Sequence, residues 1–404
     1  MKNRFSINST KISVLTINGG SSSIKFALYR IDGPLKRILY GKVDRIGLKG
    51  TSLDFNNLTE KKKGNLRNEI SDHKSVANFL VDWLEKQIDF SLISGVGHRV
   101  VFGMKHTDPE LITDELLDEL RRIIPYDSDH LPAEIEMIEV FSQRYPNLKQ
   151  VACFDTAFHR TMPRVAKLLP IPRRFDKIGI QRYGFHGLSY AYLIEELKRV
   201  AGKRVANGRV ILAHLGNGAS LAAVHKGKSV DTSMGFTPAG GMIMGTRPGD
   251  LDPGVAWYMM KSENLTPEQF NKLINHESGL LGISETSSDM RDLLAKESDD
   301  IRAAEAVELF CYQAKKWIGA FAAALGGLDT LVFAGGIGEN CPVIRSRICG
   351  GLEFLGIGLE EKQNRKNAPV ISKEKESVAV HVIHTDEEWM IAKTVSQILN
   401  ITKE

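Results

Sequence analysis

Two arginines, a histidine and an aspartate stand in settings suited to chemistry on anions. Arg247 lies inside "MGTRPGD" (244–250), where flanking Gly and Pro shape a loop rather than a solvated face. Arg99 lies in "GHRVV" (97–101), His186 in "RYGFHG" (182–187) and Asp155 in "FDTAFH" (154–159). Guanidinium forks fit carboxylate and phosphate oxygens, so either arginine could clamp an anion; taken singly, each also fits a surface ion pair. His186 reads either as a hydrogen-bonded core histidine or as a donor that stabilises charge without moving a proton. Asp155 reads either as a positioning carboxylate or as a turn residue closing a strand.

Three glycine-rich turns could meet such an anion. "TINGGSSSIKF" (16–26) sets Asn-Gly-Gly and serines between two apolar runs. That is the chemistry of a hairpin turn. It is also that of a phosphate loop, because glycines let backbone N–H groups approach an anion. It is not GxxxxGK[ST]. "RVILAHLGNGASLAAVHKGKSVDTSMG" (209–235) repeats the strand, glycine turn, strand pattern about half a chain later, which points to a duplicated unit. "TLVFAGGIGENCP" (330–342) reads as a buried strand over 331–334, a glycine loop, Asn340 as N-cap and Pro342 just inside a helix.

These loops need a scaffold of alternating strands and helices. Apolar spacing predicts a helix over 303–325 ending at Gly326-Gly327. Thr266 to Gln269 forms a capping box, and the tail after Asp386 reads as a terminal helix. The fold class is therefore α/β with mixed sheets. The 404 residues exceed one small core and imply two domains. The polar stretch 56–75, with "EKKKG" at 60–64 as a solvated loop, reads as an excursion from the first domain. A net charge of +4 gives no reason to expect a nucleic-acid or membrane partner. Four cysteines without a CxxC pair suggest neither a zinc site nor a disulfide frame, and fit a reducing, cytoplasmic setting. The N-terminal "MKNRFSINSTK" lacks the apolar core of a secretory signal.

Taken in order, the motifs closely resemble the acetate kinase family of the sugar-kinase and actin-like ATPase superfamily. "NGGSSSIKF", "GHRVV", "FDTAFH", "RYGFHG", "HLGNGAS" (214–220), "DTSMGFTP" (231–238), "MGTRPGDLDPG" (244–254), "SDMRD" (288–292), "GGIGEN" (335–340) and "TDEE" (385–388) follow in family order, nearly end to end. The resemblance implies two actin-like ATPase domains with duplicated ribonuclease-H-like cores, 1–157 plus 388–404 and 158–387, and an ATP cleft between them. It implies ATP as co-substrate, acetate or a related short carboxylate as acceptor, magnesium or manganese as metal, and a homodimer through the second domain.

The resemblance also implies residue roles. Asn18 and Glu387 match metal-associated positions. Lys25, His214, Leu215, Gly216, Asn217, Gly218, Asp289, Met290, Arg291, Gly336, Ile337, Gly338, Glu339 and Asn340 match the nucleotide site. Arg99 matches the acyl-substrate arginine, with Val101 and Pro238 at apolar pocket positions. His186 and Arg247 match transition-state stabilisers, and Asp155 the catalytic aspartate. A carboxylate acceptor is already ionised at neutral pH and needs no general base, so Asp155 is expected to position groups around the metal, with Cys153 a packed thiol. "FGM" (102–104), "DHLPAE" (129–134) and "TPAGG" (237–241) depart from the family's "HGG", "LHNPAN" and "TPLEG", all near the acyl pocket. Asp129 is accordingly expected either to line that pocket or to cap the following helix. Acceptors of the rival readings are propionate and butyrate; a different class is an actin-like ATPase switch, which needs no carboxylate clamp.

Overall fold

The computed structural model describes residues 12–20, 23–46, 50–68, 70 and 72–401. The expectations for residues 1–11 and for the turn serines Ser21 and Ser22 lie outside these. The chain divides into two compact units: the described residues up to Ala157 together with those from Asp386 on, and Phe158–Thr385. The return crossing thus falls two residues ahead of the expected 388, and Asp386 and Glu387 group with the first unit.

The first unit is built on an eight-stranded sheet. Its strands are β1 (Ile12–Gly19), β2 (Ser23–Ile31), β3 (Leu35–Asp44), β4 (Thr51–Asn57), β5 (Lys62–Asn68), β6 (Ile93–Val100), β7 (Glu110–Leu111) and β8 (Gln150–Phe154), in the order β5-β4-β3-β2-β1-β6-β8-β7. The run from β1 to β5 is an antiparallel meander, and β6 and β8 continue parallel to β1. The "EKKKG" stretch is therefore not a loop throughout: Lys62, Lys63 and Gly64 belong to β5, at the sheet edge. Lysines suit an edge strand because their charge discourages pairing with another chain.

Alternate residues of β2 and β3 bury Ile24, Phe26, Leu28, Leu39 and Val43 against the helix His73–Gln87, where Phe26 and Phe55 both meet the Trp83 ring. The other face takes the C-terminal helix Glu387–Ile398, N-capped by Asp386, whose side chain accepts from Trp389 N–H at 2.9 Å. Gly97 makes that packing possible. A Cβ there would stand 2.4 Å from Ile391 Cγ2 and 2.5 Å from Val395 Cγ2.

The second unit has a five-stranded sheet of β9 (Arg209–Leu215), β10 (Ala219–His225), β11 (Lys228–Thr232), β12 (Thr330–Ala334) and β13 (Ala379–Val382), ordered β11-β10-β9-β12-β13. β9 to β11 run antiparallel, and β12 and β13 follow parallel to β9. This is the order and sense of β3-β2-β1-β6-β8, so the duplication read from the glycine turns extends to five strands of each sheet. Tyr190, Leu193 and Leu197 of the helix Gly187–Ala201 pack on Val210, Leu212, Val224 and Val332. The helix Ile301–Leu325 buries Ala303, Val307, Phe310, Ala314, Ile318 and Phe321, one stripe at helical spacing, and ends at Gly326 in left-handed conformation. The third glycine segment differs from expectation. Gly335–Asn340 is itself a short helix that Asn340 ends, and Cys341 rather than Asn340 precedes Pro342 as N-cap of the next helix. No helix among the described residues is long and apolar enough to cross a membrane.

Candidate active site

In the first unit the β1–β2 hairpin places Asn18 opposite Lys25. The buried Asn18 amide donates to Glu387 Oε2 at 2.8 Å and Glu388 Oε1 at 2.9 Å. Both carboxylates stand on the first turn of the C-terminal helix, where the helix dipole favours negative charge. Burial raises the Glu388 carboxyl, an effect the nearby Lys25 charge reduces. Lys25 itself is exposed.

Arg99 leaves β6 near the end of β1. Its Nη2 donates to Asp155 Oδ2 at 2.9 Å and its Nη1 to the Gly19 carbonyl at 3.2 Å. The Asp155 side chain is wholly buried and that of Arg99 is 14% exposed. Burial disfavours the guanidinium charge, but Asp155, Glu387 and Glu134 outweigh it and hold Arg99 above its ordinary range. Arg99 Nε faces no hydrogen-bond partner among the described residues. It borders a cavity of about 20 Å³ shared with Gly19, His98, His130 and Glu134, room for one water.

Glu134 carries chemistry that its residue type alone did not signal. Both its carboxyl oxygens accept from Val101 N–H, at 3.1 and 3.3 Å. Burial first, then the Asp127 charge, pushes it well above the usual carboxylate range, against the pull of Arg99. Val101 is buried and reaches the site through its backbone. His130, not Asp129, occupies the N-cap of the helix Leu131–Arg144, without a side-chain capping bond. His130 Nδ1 instead meets Asp127 Oδ1 at 2.7 Å. Cys153 is buried, which pushes its thiol up and leaves it unreactive.

In the second unit β9, β10, the start of the helix Gly187–Ala201 and the 244–250 loop bring His186, His214, Gly218 and Arg247 together. The rings of His186 and His214 stack with centroids 4.4 Å apart. A Cβ on Gly218 would stand 3.1 Å from Arg247 Nη2 and 3.3 Å from His186 Nε2, so both nitrogens lie close against the loop backbone there. Arg247 Nη1 donates to the Pro238 carbonyl at 2.8 Å, tying these two expected residues together. Gly216 N–H closes the turn on Gly218 O at 3.0 Å. The buried Leu215 meets the third glycine segment, since a Cβ on Gly335 would stand 2.7 Å from its carbonyl oxygen.

Within that segment Glu339 Oε1 accepts from Gly335 N–H at 3.0 Å and Thr385 N–H at 3.1 Å, and Asn340 Nδ2 donates to Gly336 O at 3.0 Å. Gly336 is exposed, Ile337 half-buried and Gly338 buried. Asn217 and Ser288 both border Gly245, at 2.1 and 3.3 Å from where its Cβ would lie. That sets the 288–292 segment beside the glycine turn. There Asp289 caps the helix Met290–Lys296 and pairs with Arg291 at 2.5 Å, while Met290 is buried.

The sequence reading missed Tyr190, which reaches the site through Ser220. Ser220 Oγ lies 2.8 Å from His186 Nδ1, and Tyr190 OH lies 2.5 Å from Ser220 Oγ. Ser220 closes the quoted "HLGNGAS" motif; Tyr190 stands one helical turn after His186, which was the available signal.

A model of the Acetokinase family matches residues 13–393. The chain is 43% identical over 404 residues to an acetate kinase of Thermoanaerobacterium thermosaccharolyticum, covering 97% of this chain and 100% of that one. It is 42% identical over 392 residues to a propionate kinase of Citrobacter rodentium, covering 95% and 96%. It is similar to the crystal structure of Porphyromonas gingivalis acetate kinase, with a TM-score of 0.84, 37% identity, and coverage of 96% and 100%. With both glycine turns, the Arg99–Asp155 pair and the His186–Arg247 cluster in place along a match of this length, the chain belongs to the acetokinase family, kinases that pass a phosphoryl group from ATP to a carboxylate.

Proposed function

We propose that the chain carries the γ-phosphoryl of ATP to acetate, reversibly and by direct in-line transfer, giving acetyl phosphate and ADP. The observation that carries this reading is Arg99. A nearly buried guanidinium, anchored by Asp155 and a β1 carbonyl, is a fixed positive charge beside the first glycine turn, and an ATPase switch has no use for it. Arg99 binds the acceptor carboxylate, and Val101 and Pro238 keep the roles of apolar pocket positions. Asp155 holds the Arg99 fork in place. His186 and Arg247 face the oxygens of the transferring phosphoryl group and stabilise charge that builds there. Lys25, the His214–Gly218 turn, Asp289–Arg291 and Gly336–Asn340 hold the nucleotide.

Asn18 and Glu387 offer an amide oxygen and a carboxylate, hard oxygen donors of the kind magnesium takes alongside waters and substrate phosphates. The residues present therefore fit the ion, which when bound neutralises phosphate charge. Manganese suits the same donors.

Acetate is the first acceptor to test and propionate the second, because a relative at 42% identity is a propionate kinase. The chain acts in the cytoplasm as a homodimer. The apolar helix Pro253–Ser262 supports the latter: it buries none of its residues and leaves Trp257 and Tyr258 about 70% exposed. The test is hydroxylamine trapping of acyl phosphate from Mg-ATP with acetate, propionate or butyrate. Accumulation of the hydroxamate with acetate is expected. ATP hydrolysis without hydroxamate from any of the three would overturn the kinase reading in favour of a switch.

A further inference from the structure

His186 occupies an unusual backbone position. Its φ is +58°, a left-handed value uncommon outside glycine, and it is the N-cap of the helix Gly187–Ala201 without making a side-chain capping bond. The side chain is turned instead toward β10, where Nδ1 meets Ser220 Oγ at 2.8 Å. Ser220 Oγ in turn meets Tyr190 OH at 2.5 Å. Ser220 and Tyr190 are both fully buried, so bulk water cannot set the direction of these bonds.

For a neutral ring the hydrogen bonds can run along this chain in two directions. In one, Tyr190 O–H donates to Ser220, Ser220 O–H donates to Nδ1, and the ring proton sits on Nε2. In the other, Nδ1–H donates to Ser220, Ser220 donates to Tyr190, and Nε2 is a bare acceptor. Nε2 is the nitrogen that approaches the Gly218 backbone alongside Arg247 Nη2. A bare lone pair there would repel phosphoryl oxygens, whereas an N–H would bind them.

We infer that Tyr190, acting through Ser220, is a positioning residue that holds His186 in the Nε2–H tautomer, so that Nε2 donates to the transferring phosphoryl group. This deepens the kinase reading and rests on it for the role of the donor and for the choice between the two tautomers. Tyr190 has a second reason to stay in place. Its ring packs edge-on against His159, whose Nδ1 and Nε2 are held by Ser229 and the Phe185 carbonyl next to His186. The phenol is thus fixed from both sides, and its hydroxyl is not a stray polar group in a core.

The tautomer is read directly by nitrogen NMR of the full chain labelled with ¹⁵N-histidine, with His186 assigned from its loss in His186→Gln. A protonated Nε2 and an unprotonated Nδ1 are expected in the wild type without any ligand. An Nδ1–H ring overturns the inference. Tyr190→Phe keeps the ring packing and removes the terminal hydroxyl. It is expected to mix the two tautomers and to lower kcat for hydroxamate formation by roughly tenfold or more, as partial loss of one transition-state donor would. KM for ATP and the carboxylate should stay within about twofold, because Tyr190 touches neither substrate.

A Tyr190→Phe enzyme with unchanged kcat, or with the change in KM alone, overturns the inference, as does an unchanged tautomer in that variant. If it fails to fold, the wild-type spectrum still decides. If the wild type forms no acyl phosphate, the kinase reading fails while the tautomer measurement stands.

Discussion

Arg99 and Asp155 show how a site residue and a stability residue become one object. Asp155 is fully buried and Arg99 is its ion partner at 2.9 Å. Removing the guanidinium takes a buried carboxylate's ion partner away, and breaking such a pair costs roughly 3–5 kcal/mol. Arg99→Ala is therefore expected to lose thermal stability as well as turnover and carboxylate binding, seen together in melting curves and steady-state kinetics. Arg247→Ala should lose mainly turnover if, as proposed, its charge serves the transferring group rather than the acceptor.

His98, next to Arg99, predicts a pH effect of definite sign. Burial lowers its pKa from 6.5 to about 4. The unfolded chain then binds the extra proton first as pH falls, so this contribution is complete above about 6.5, declines below it and is gone near 4. Its full size is roughly 3 kcal/mol by linkage. Denaturant titrations from pH 7 to 4 should show that slope, and His98→Asn should flatten it.

At the scale of elements, the seam between β6 and the C-terminal helix is the most sensitive. Gly97 leaves no room for a side chain beneath Ile391 and Val395. Gly97→Val should cost about 1–3 kcal/mol by overpacking and shift the helix that presents Glu387 and Glu388. Chemical denaturation checks the first effect. A rise in the magnesium concentration needed for half-maximal hydroxamate formation checks the second, and full stability in this variant would show that the helix seam yields freely. The same seam explains why Asp386 and Glu387 group with the first unit: the helix that follows them is buried on its sheet.

For the whole molecule, the helix Pro253–Ser262 sets the expectation. Isolated apolar side chains on a surface are ordinary, but adjacent Trp257 and Tyr258 on a helix that buries none of its residues fit the surface of the proposed homodimer. Trp257→Arg should shift light-scattering mass from dimer toward monomer. A monomeric wild type, or a variant whose mass does not change, would remove this surface from the dimer.

Local chemistry made much of this protein readable from its residues. Strand, glycine turn and strand at 16–26 and 209–235 define hairpins by short-range rules, and the helix at 301–325 follows from spacing and its terminal glycine. The family motifs proposed site residues from residue type: arginine for anions, glycine for close backbone approach. What pairs with what was not readable, because partners meet from distant parts of the chain. Asn18 with Glu387 is one such pair, 369 residues apart; Arg99 with Asp155 is another, 56 apart.

Burial decided the rest. Lys62 and Lys63 look like loop residues until β4 pairs with β5 and makes them an edge strand. Glu134 looks like a surface acid until packing puts it under Val101 and strips its water. Tyr190 looks like any helix tyrosine until Ser220 stands at its hydroxyl. Residue type and spacing carry chemistry and local geometry, but desolvation and long-range hydrogen bonding exist only once the sheets and helices have closed on one another.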